Sequence, residues 1–308
     1  MSVCFLNPGL YRGFFHLSFT RPVSNYNLAF VTTINLYQPN HVDETVDFPT
    51  EWNELTLDEL HIIAKTILSG FDKVSQANAF LLQNLLVARC NGKIPSIDKR
   101  LDAEDAVING FPLIEFILKE NKLTRQPYPE LKVPNRMIPC KPHRMVGPVD
   151  EFNNITCGEF EDAEVFFGQF NENPNPESLA FMAAVLYRKE GVPYISFNPK
   201  DNSYSTYDAE AMVRHFAKLK PWELYTIYLW YIGCRTLMSK IFPLTFSTGS
   251  GDGEADPFVF TKCIHASAGP KNGSRNEIRR TLLKEFLMEL ELESKNQEEL
   301  KRQMDAAK

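Results

Sequence analysis

The sequence predicts a mainly helical fold with two imperfect three-helix repeats, joined by a proline-rich basic connector and followed by a C-terminal helix. Three observations lead to this prediction. Apolar residues recur at the three- and four-residue spacing of amphipathic helices. Similar segments recur in the same order at a nearly constant offset along the chain, and six prolines lie between them, at positions 127, 129, 134, 139, 142 and 148.

Composition limits the class of protein. The chain has 308 residues, of which 44% are hydrophobic, enough for one large domain or two of ordinary size. The net charge of -6 is mild and does not itself indicate nucleic-acid binding. The six cysteines have irregular spacing, typical of reduced thiols in a cytosolic compartment. The most apolar run, 224–234, falls short of the roughly 20 residues of a membrane span, so we expect a soluble protein.

The first residues differ in composition from the rest of the chain. Residues 1–30 contain five phenylalanines and no Asp, Glu or Lys, and prolines and glycines interrupt any regular spacing. The features of a signal peptide are not clear in this segment. We predict that residues 1–49 form an extended or non-native N-terminal segment. We also hypothesise that translation starts at Val31, which the intact mass of the protein from its natural host would test.

The repeats are most evident in residues 51–60 (EWNELTLDEL) and 151–160 (EFNNITCGEF). Each contains a capping box, in which a threonine caps a helix and a glutamate three residues later returns a hydrogen bond to the threonine amide. The pairs are Thr56 with Glu59 and Thr156 with Glu159. An aromatic residue and an aliphatic residue precede each threonine, so we predict two equivalent helix starts.

The segments that follow extend the match. We predict buried faces on the two capped helices, formed by Leu57, Leu60, Ala64, Ile67, Leu68 and Phe71 in one and by Cys157, Phe160, Ala163, Phe167 and Phe170 in the other. Second helices are predicted at 78–89 and 178–188, and third helices begin at 102–104 and 208–210, both Asp-Ala-Glu. Repeat one therefore spans 50–118 and repeat two spans 150–242. Chance recurrence of capping boxes is the alternative explanation.

The connector, residues 119–149, carries seven Lys or Arg and two Glu. Because proline removes amide donors and disfavours helix in its predecessor, we predict an extended segment. It would lie as a basic strap over the acidic start of repeat two or contact phosphates. Tyr128 is its single aromatic residue, too few for the stacking surface of single-strand binders.

The C-terminal third is predicted in three parts. Residues 222–242 form the most apolar and therefore central helix, and residues 243–273 form a flexible loop. From Ser274, which forms a capping box with Glu277, residues 274–308 form a C-terminal amphipathic helix and polar tail. Its apolar residues recur at a spacing of four: Ile278, Leu282, Phe286 and Leu290.

We predict no catalytic, cofactor-binding or metal site. Cys140 and His143, with Cys157, Cys263 and His265, resemble zinc ligands, but their spacing lacks two tight pairs. Cys157 aligns with Leu57 and is expected in the core. We expect the acidic residues at the start of repeat two to form a solvated face, with acid–base catalysis or Mg²⁺ or Ca²⁺ binding as the alternative: Glu159, Glu161, Asp162 and Glu164.

Residues 52–56 (WNELT), 155–163 (ITCGEFEDA) and 179–187 together resemble a group of uncharacterised proteins of tailed phages and prophages in Bacteroidetes-type bacteria. The likeness covers about residues 32–242. It implies a role in virion morphogenesis, as a tail-assembly chaperone or minor structural protein, in the cytoplasm of the bacterial host or associated with the virion. No catalytic residues carry over from it.

The predicted function is therefore non-enzymatic and depends on contacts with a protein partner, such as a phage structural protein. No membrane partner is predicted, and the oligomeric state is open. One alternative is a nucleic-acid-associated protein that uses the 119–149 strap. Another is an enzyme with a Cys/His or carboxylate site, in which changing Cys140 or Glu161 would abolish activity.

Overall fold

The chain folds into two compact units, Met1–Lys122 and Leu123–Lys308. A computed structural model describes residues 2–6, 14–20, 32–36, 44–89, 112–134, 142–190, 206–247 and 259–306. The described residues are mainly helical, which confirms the predicted class. The boundary between the units falls within the predicted connector 119–149.

Unit 1 begins with a four-stranded antiparallel sheet in the order β1-β2-β3-β4. The strands are β1 (Ser2–Leu6), β2 (Phe14–Thr20), β3 (Thr32–Leu36) and β4 (Glu44–Phe48). They lie in the segment 1–49, which was predicted as extended or non-native, and whether residues 1–30 are native stays a prediction. A 3-10 turn (Trp52–Glu54), α1 (Leu57–Leu68), α2 (Val74–Arg89) and helical residues 112–118 (α3) follow.

The buried face of α1 differs from the predicted one. Leu60 and Ala64 are buried, but Leu57, Ile67 and Leu68 are exposed, and Ile63 and Thr66 are buried instead. The reason is Glu59, whose side chain is almost completely buried and ion-paired with Arg89. Because a helix that turns Glu59 inward also turns Ile63 and Thr66 inward, the core face is rotated away from Leu57 and Leu68.

Unit 2 contains a three-stranded antiparallel sheet in the order β5-β6-β7. Its strands are β5 (Glu130–Val133), β6 (His143–Val146) and β7 (Arg188–Lys189). Two of these strands lie in the connector 119–149, so the predicted connector contributes a strand pair to the fold. Prolines 129, 134, 142 and 148 flank the strands instead of interrupting them, since an internal proline would remove a ladder hydrogen bond.

The helical part of unit 2 packs around α7 (Pro221–Ile241), the helix predicted over 222–242. Trp230 and Tyr231 of α7 are fully buried, and the Trp230 ring meets Phe152 edge to face. Gly233 allows close packing, since a Cβ there would lie 2.1 Å from the Leu123 carbonyl oxygen. A 3-10 turn (Asp150–Phe152), α4 (Cys157–Glu172), α5 (Pro176–Leu186) and α6 (Thr206–Phe216) precede α7.

The C-terminal part differs from the prediction in two ways. Residues 243–273, predicted as a flexible loop, contain α8 (Pro243–Ser247) and α9 (Val259–Ser267) in their described part. The single helix predicted from Ser274 is two helices, α10 (Arg275–Arg280) and α11 (Leu283–Ala306). The capping box of Ser274 and Glu277 is present. No helix in the described ranges is both long and apolar enough to cross a bilayer.

Candidate functional site

The first capped helix start lies in unit 1. The Thr56 amide donates to Glu59 Oε2 at 2.8 Å, and the Glu59 amide donates to Thr56 Oγ1 at 3.4 Å, which completes the predicted capping box. Arg89, the last residue of α2, donates through Nη2 to Glu59 Oε2 at 2.9 Å and through Nε to Glu59 Oε1. The cap therefore joins the start of α1 to the end of α2.

The second capped helix start lies in unit 2 and has the same bonds. The Thr156 amide donates to Glu159 Oε2 at 2.8 Å, and the Glu159 amide donates to Thr156 Oγ1 at 3.3 Å. Arg188, which follows α5, donates to Glu159 Oε1 through Nε at 3.0 Å and Nη2 at 2.8 Å. Burial raises the pKa of Glu159, while Arg188 and Thr156 act in the opposite direction.

The sequence predicted both glutamates as caps but missed their arginine partners. The signal was present, because both predicted second helices, 78–89 and 178–188, end in arginine. A glutamate at a helix start would ordinarily face solvent, where its carboxylate interacts favourably with the helix dipole. Here each carboxylate is buried, so each needs the paired cation as well as the cap hydrogen bonds.

The turns that precede the two caps are not alike. Trp52 begins the turn of unit 1, whereas Phe152 ends the turn of unit 2. Glu51 is extended with φ of -143°, but Glu151 and Phe152 both have φ of 58°. Both rings are nevertheless buried. The similarity of the two sites therefore includes the caps, the ion pairs and the buried ring, but excludes the backbone of the turns.

The clearest difference between the sites is what covers them. In unit 2 the extended segment between α10 and α11 lies on the helix start, where the Cys157 amide donates to the Thr281 carbonyl at 3.0 Å and the Leu283 amide donates to the Ile155 carbonyl at 2.9 Å. Thr156, Cys157 and Gly158 are all buried beneath it. This pairing is also why the predicted C-terminal helix is broken.

Gly158 and Lys284 complete this covered site. A Cβ at Gly158 would lie 3.1 Å from the Arg279 carbonyl oxygen, so the glycine allows α10 to approach closely. The Lys284 ammonium donates to Asn153 Oδ1 at 2.6 Å and lies 3.6 Å from Glu151 Oε2. Thr56, Leu57 and Asp58, at the corresponding positions of unit 1, are exposed.

The prediction of a solvated acidic face at the start of repeat two is wrong. Glu161 is buried and pairs with Arg275 at 3.0 Å and with Arg279. The other acidic residues also pair with arginines: Glu159 with Arg188, Asp162 with Arg279, and Glu164 with Arg235. These arginines lie outside residues 119–149, in α7, α10 and β7.

The predicted zinc-like residues lie in different surroundings. Cys140 is outside the described residues, and the ring of His143 packs against that of His215 at 4.7 Å. Cys157 is fully buried, as predicted, and burial raises its pKa to about 12, which keeps the thiol protonated and unreactive. No group of three or more His, Cys, Asp or Glu with metal-binding geometry occurs among the described residues.

A helix start presents amide donors that an extended backbone can satisfy. In unit 2 a segment of the chain itself uses those donors. The chain matches no protein-family model, no curated protein and no solved structure.

Proposed function

We propose that the chain is a non-enzymatic protein-binding scaffold of tailed-phage or prophage morphogenesis. The observation that carries the proposal is a set of large apolar side chains exposed on two neighbouring helices of unit 1, at Leu57, Ile67, Leu68, Val74 and Phe80. Their exposed fractions run from 38% at Leu57 to 76% at Val74. Exposed apolar surface of this kind is typical of a site that a partner protein covers.

The last helix offers a second apolar surface. Met288, Leu292, Leu300 and Met304 of α11 are all more than half exposed. From Lys295 onward every described residue of this helix is exposed, so its final turns extend away from the packed part of unit 2. An amphipathic helix with one apolar face is a common ligand for a groove on another protein.

The two capped helix starts support the further proposal that the chain contains duplicated helical repeats. In each, a buried glutamate pairs with an arginine at or just after the end of the next helix, at a sequence separation of 30 residues in unit 1 and 29 in unit 2. The proposed third helix of repeat one begins at 102–104, which lies outside the described residues, and its counterpart 208–210 is part of α6.

The phage setting comes from the sequence resemblance, and deletion of the gene from its phage or prophage tests it. We expect particles with missing or malformed tails in electron micrographs after induction, and restoration by the wild-type gene supplied in trans. A deletion strain with normal tails and a normal infective titre would refute the proposed role. Location of the gene between those of the major tail protein and the tape measure would also support it.

The nucleic-acid alternative has a separate test. In the described part of the strap, Arg144 lies 3.6 Å from Glu190 and Lys119 lies 3.0 Å from Glu115, so both cations already have acidic neighbours. A strap that binds phosphates would give DNA binding that weakens steeply as salt rises. We expect no such salt-dependent binding from the purified chain in an electrophoretic mobility assay.

A further inference from the structure

We infer that α11 binds the α11 of a second copy of this chain, in an antiparallel homodimer whose two-fold axis passes beside Asn296. The contact surface is an apolar ridge along the helix, defined as Met288, Leu292, Leu300 and Met304, with Asn296 at its centre. This inference goes beyond the proposed morphogenetic role and does not depend on it, since it concerns the purified chain in solution.

The apolar ridge lies where unit 2 leaves α11 open. Its four apolar side chains are between 54% and 59% exposed. From Lys295 to Ala306 every residue of the helix is exposed, so Leu300 and Met304 belong to a length of helix that its own unit does not cover. Helices in proteins are stabilised mostly by the packing of an amphipathic face. The uncovered end of α11 therefore indicates a partner surface that packs on it.

The side chains of the ridge have the same order in both directions. From Met288 to Met304 the residues at a spacing of four are Met, Leu, Asn, Leu and Met. A two-fold axis at Asn296 places Leu292 beside Leu300 of the second copy and Met288 beside Met304. A two-fold interface between identical chains needs this property, because the same surface patch serves on both sides. A groove on an unrelated protein does not require it, so the symmetry favours a second copy.

The spacing of four residues also determines how the two helices cross. Residues four apart advance by about 40° around an α-helix, so the ridge is inclined to the helix axis and differs from the straight seam of a coiled coil. When two such ridges pack side by side, the helix axes cross at about 50°. Leu292, Asn296 and Leu300 then form the centre of the contact, and the methionines form its margins.

A crossing of two helices gives a small interface. Contacts that bury less than about 1,200 Å² in total are typical of weak and transient complexes. We therefore expect a dimer that forms and dissociates readily, with a dissociation constant of about 1–100 µM.

The charges along α11 favour the antiparallel arrangement. Residues 285–293 carry four glutamates and no basic residue, whereas residues 297–306 carry Lys301 and Arg302 with three acidic residues. A parallel pair would bring the two glutamate-rich halves together. An antiparallel pair brings each of them beside Lys301 and Arg302 of the second copy. These charges are exposed or half-exposed, so they select the orientation and add little to the affinity.

Asn296 fixes the register of the two helices. It is exposed at the middle of the ridge. Beside a two-fold axis, its side-chain amide faces the same amide of the second copy, and each amide has a donor and an acceptor for the other. A shift of one helix along the other would leave both amides against leucine side chains without a partner. A single polar residue in an apolar contact specifies register in this way.

Sedimentation velocity of the full chain over about 1–200 µM tests the dimer. We expect a concentration-dependent change from the 35.3 kDa of one chain to twice that mass. Leu300→Glu should raise the dissociation constant at least about tenfold, because it places a charge in the apolar centre of the contact. Ile67→Glu, at a 49% exposed position of unit 1, is the matched control and should change it less than about twofold.

The fold of each variant is verified by circular dichroism and thermal unfolding. Leu300 lies on the uncovered end of α11, so its substitution should leave the unfolding of unit 2 unchanged. A chain that stays monomeric at about 200 µM would overturn the inference. Equal losses for Leu300→Glu and Ile67→Glu would also overturn it, because the copies would then associate through another surface.

Two substitutions of an amide by a carboxylate test the position of the axis. Asn296→Asp should raise the dissociation constant about five- to tenfold, because a two-fold axis beside this residue brings two like charges together. Gln297→Glu makes the same chemical change one residue further along, off the ridge, and should change it less than about twofold. An Asn296→Asp dimer as strong as the wild type would place the axis elsewhere and refute the register.

Cross-linking with a short bismaleimide tests the orientation. In a mixture of Met288→Cys and Met304→Cys chains, we expect a product that joins positions 288 and 304, identified by peptide mass spectrometry. Each chain carries one of the two new thiols, so this product has to join two copies. Met288→Cys alone should give no 288–288 product, because an antiparallel pair separates these positions by about 24 Å. A 288–288 product without a 288–304 product would show a parallel pair and overturn the inference.

Discussion

The starts of α1 and α4 share their caps and their buried ion pairs, but they differ in their surroundings. At α4 the buried glutamate and arginine are both shielded from solvent, and a C-terminal segment covers the helix start. At α1 the arginine remains 24% exposed and residues 56–58 are exposed. The comparison shows that a buried cap does not need an outer cover, so the cover at α4 is an additional contact.

The residues at each helix start are consistent with the presence of a covering segment on α4 and its absence from the described surroundings of α1. Gly158 admits the backbone of α10, and Glu161 and Asp162 bind its arginines. At the corresponding part of α1, the apolar side chain of Leu57 and the carboxylate of Asp58 are both exposed. The starts of α1 and α4 have the same kind of cap. Differences in unfolding free energy between matched variants at the two starts therefore measure the effect of the segment that covers α4.

The largest effect is expected from removing the buried glutamate side chain in unit 2. Glu159→Ala removes the acceptor that caps Thr156 and the acceptor of the Arg188 guanidinium, which stays buried, and we expect unit 2 to lose about 3–5 kcal/mol of unfolding free energy. Glu59→Ala should cost unit 1 less, about 1–3 kcal/mol, because Arg89 is partly hydrated. Urea unfolding with hydrogen-exchange mass spectrometry assigns each loss to a unit, and equal losses would contradict the comparison.

The pH dependence of that pair has a definite sign. Since burial raises the folded-state pKa of Glu159 above its ordinary value, the folded state retains the proton more strongly than the unfolded chain. The contribution of Glu159 therefore falls as pH rises from the ordinary value of a glutamate through the raised one. Subtracting the pH dependence of unfolding of Glu159→Gln from that of the wild type measures this contribution, and an opposite slope would contradict the assignment.

The next effect concerns the attachment of the C-terminal segment. Arg279→Ala removes one of the two arginines that pair with buried Glu161, and it also breaks the ion pair with Asp162, so we expect a loss of about 2–3 kcal/mol in unit 2. Lys271→Ala, which breaks an exposed pair with Glu293, is the control and should leave the unfolding free energy nearly unchanged, because solvent screens the pair. Urea unfolding measures both. Similar losses would mean that α10 is not fixed by its arginines.

The sequence was sufficient to predict what depends on local hydrogen bonding. The Thr-x-x-Glu and Ser-x-x-Glu patterns predicted three helix starts, and the apolar run before Pro243 predicted α7. The break between α10 and α11 could not be predicted, because Leu282 fits the helical spacing and leaves the helix only to pair with Thr156, far away in sequence.

The site itself was predicted in part. The capping glutamates follow from spacing, but the arginines that neutralise them lie about 30 residues away, and their role depends on how two helices pack. The acidic cluster was misinterpreted for a similar reason, since Arg275 and Arg279 lie more than 110 residues from Glu161. Spacing within a segment predicts caps, whereas ion pairs between distant segments require the fold.

A smaller effect is expected in the reactivity of the thiols. Cys157 is covered by Thr281 and its pKa is raised, so it should react with N-ethylmaleimide at least about tenfold more slowly than partly exposed Cys263. Arg279→Ala should accelerate the labelling of Cys157 by loosening the cover, and leave Cys263 unchanged. Peptide mass spectrometry measures both rates. Rapid labelling of Cys157 in the wild type would show that the cover opens readily.

The smallest effect is expected at the open helix start, where Leu57→Ala should cost unit 1 no more than about 1 kcal/mol because much of the side chain is already in solvent. Leu60→Ala, one turn along the same helix but buried, should cost about 2–5 kcal/mol. Urea unfolding of both variants decides whether α1 is open. A cost at Leu57 as large as that at Leu60 would mean that other residues of the chain cover this helix start. In that case α1 and α4 would no longer differ in cover, and the partner-binding role of Leu57 would lose its physical basis.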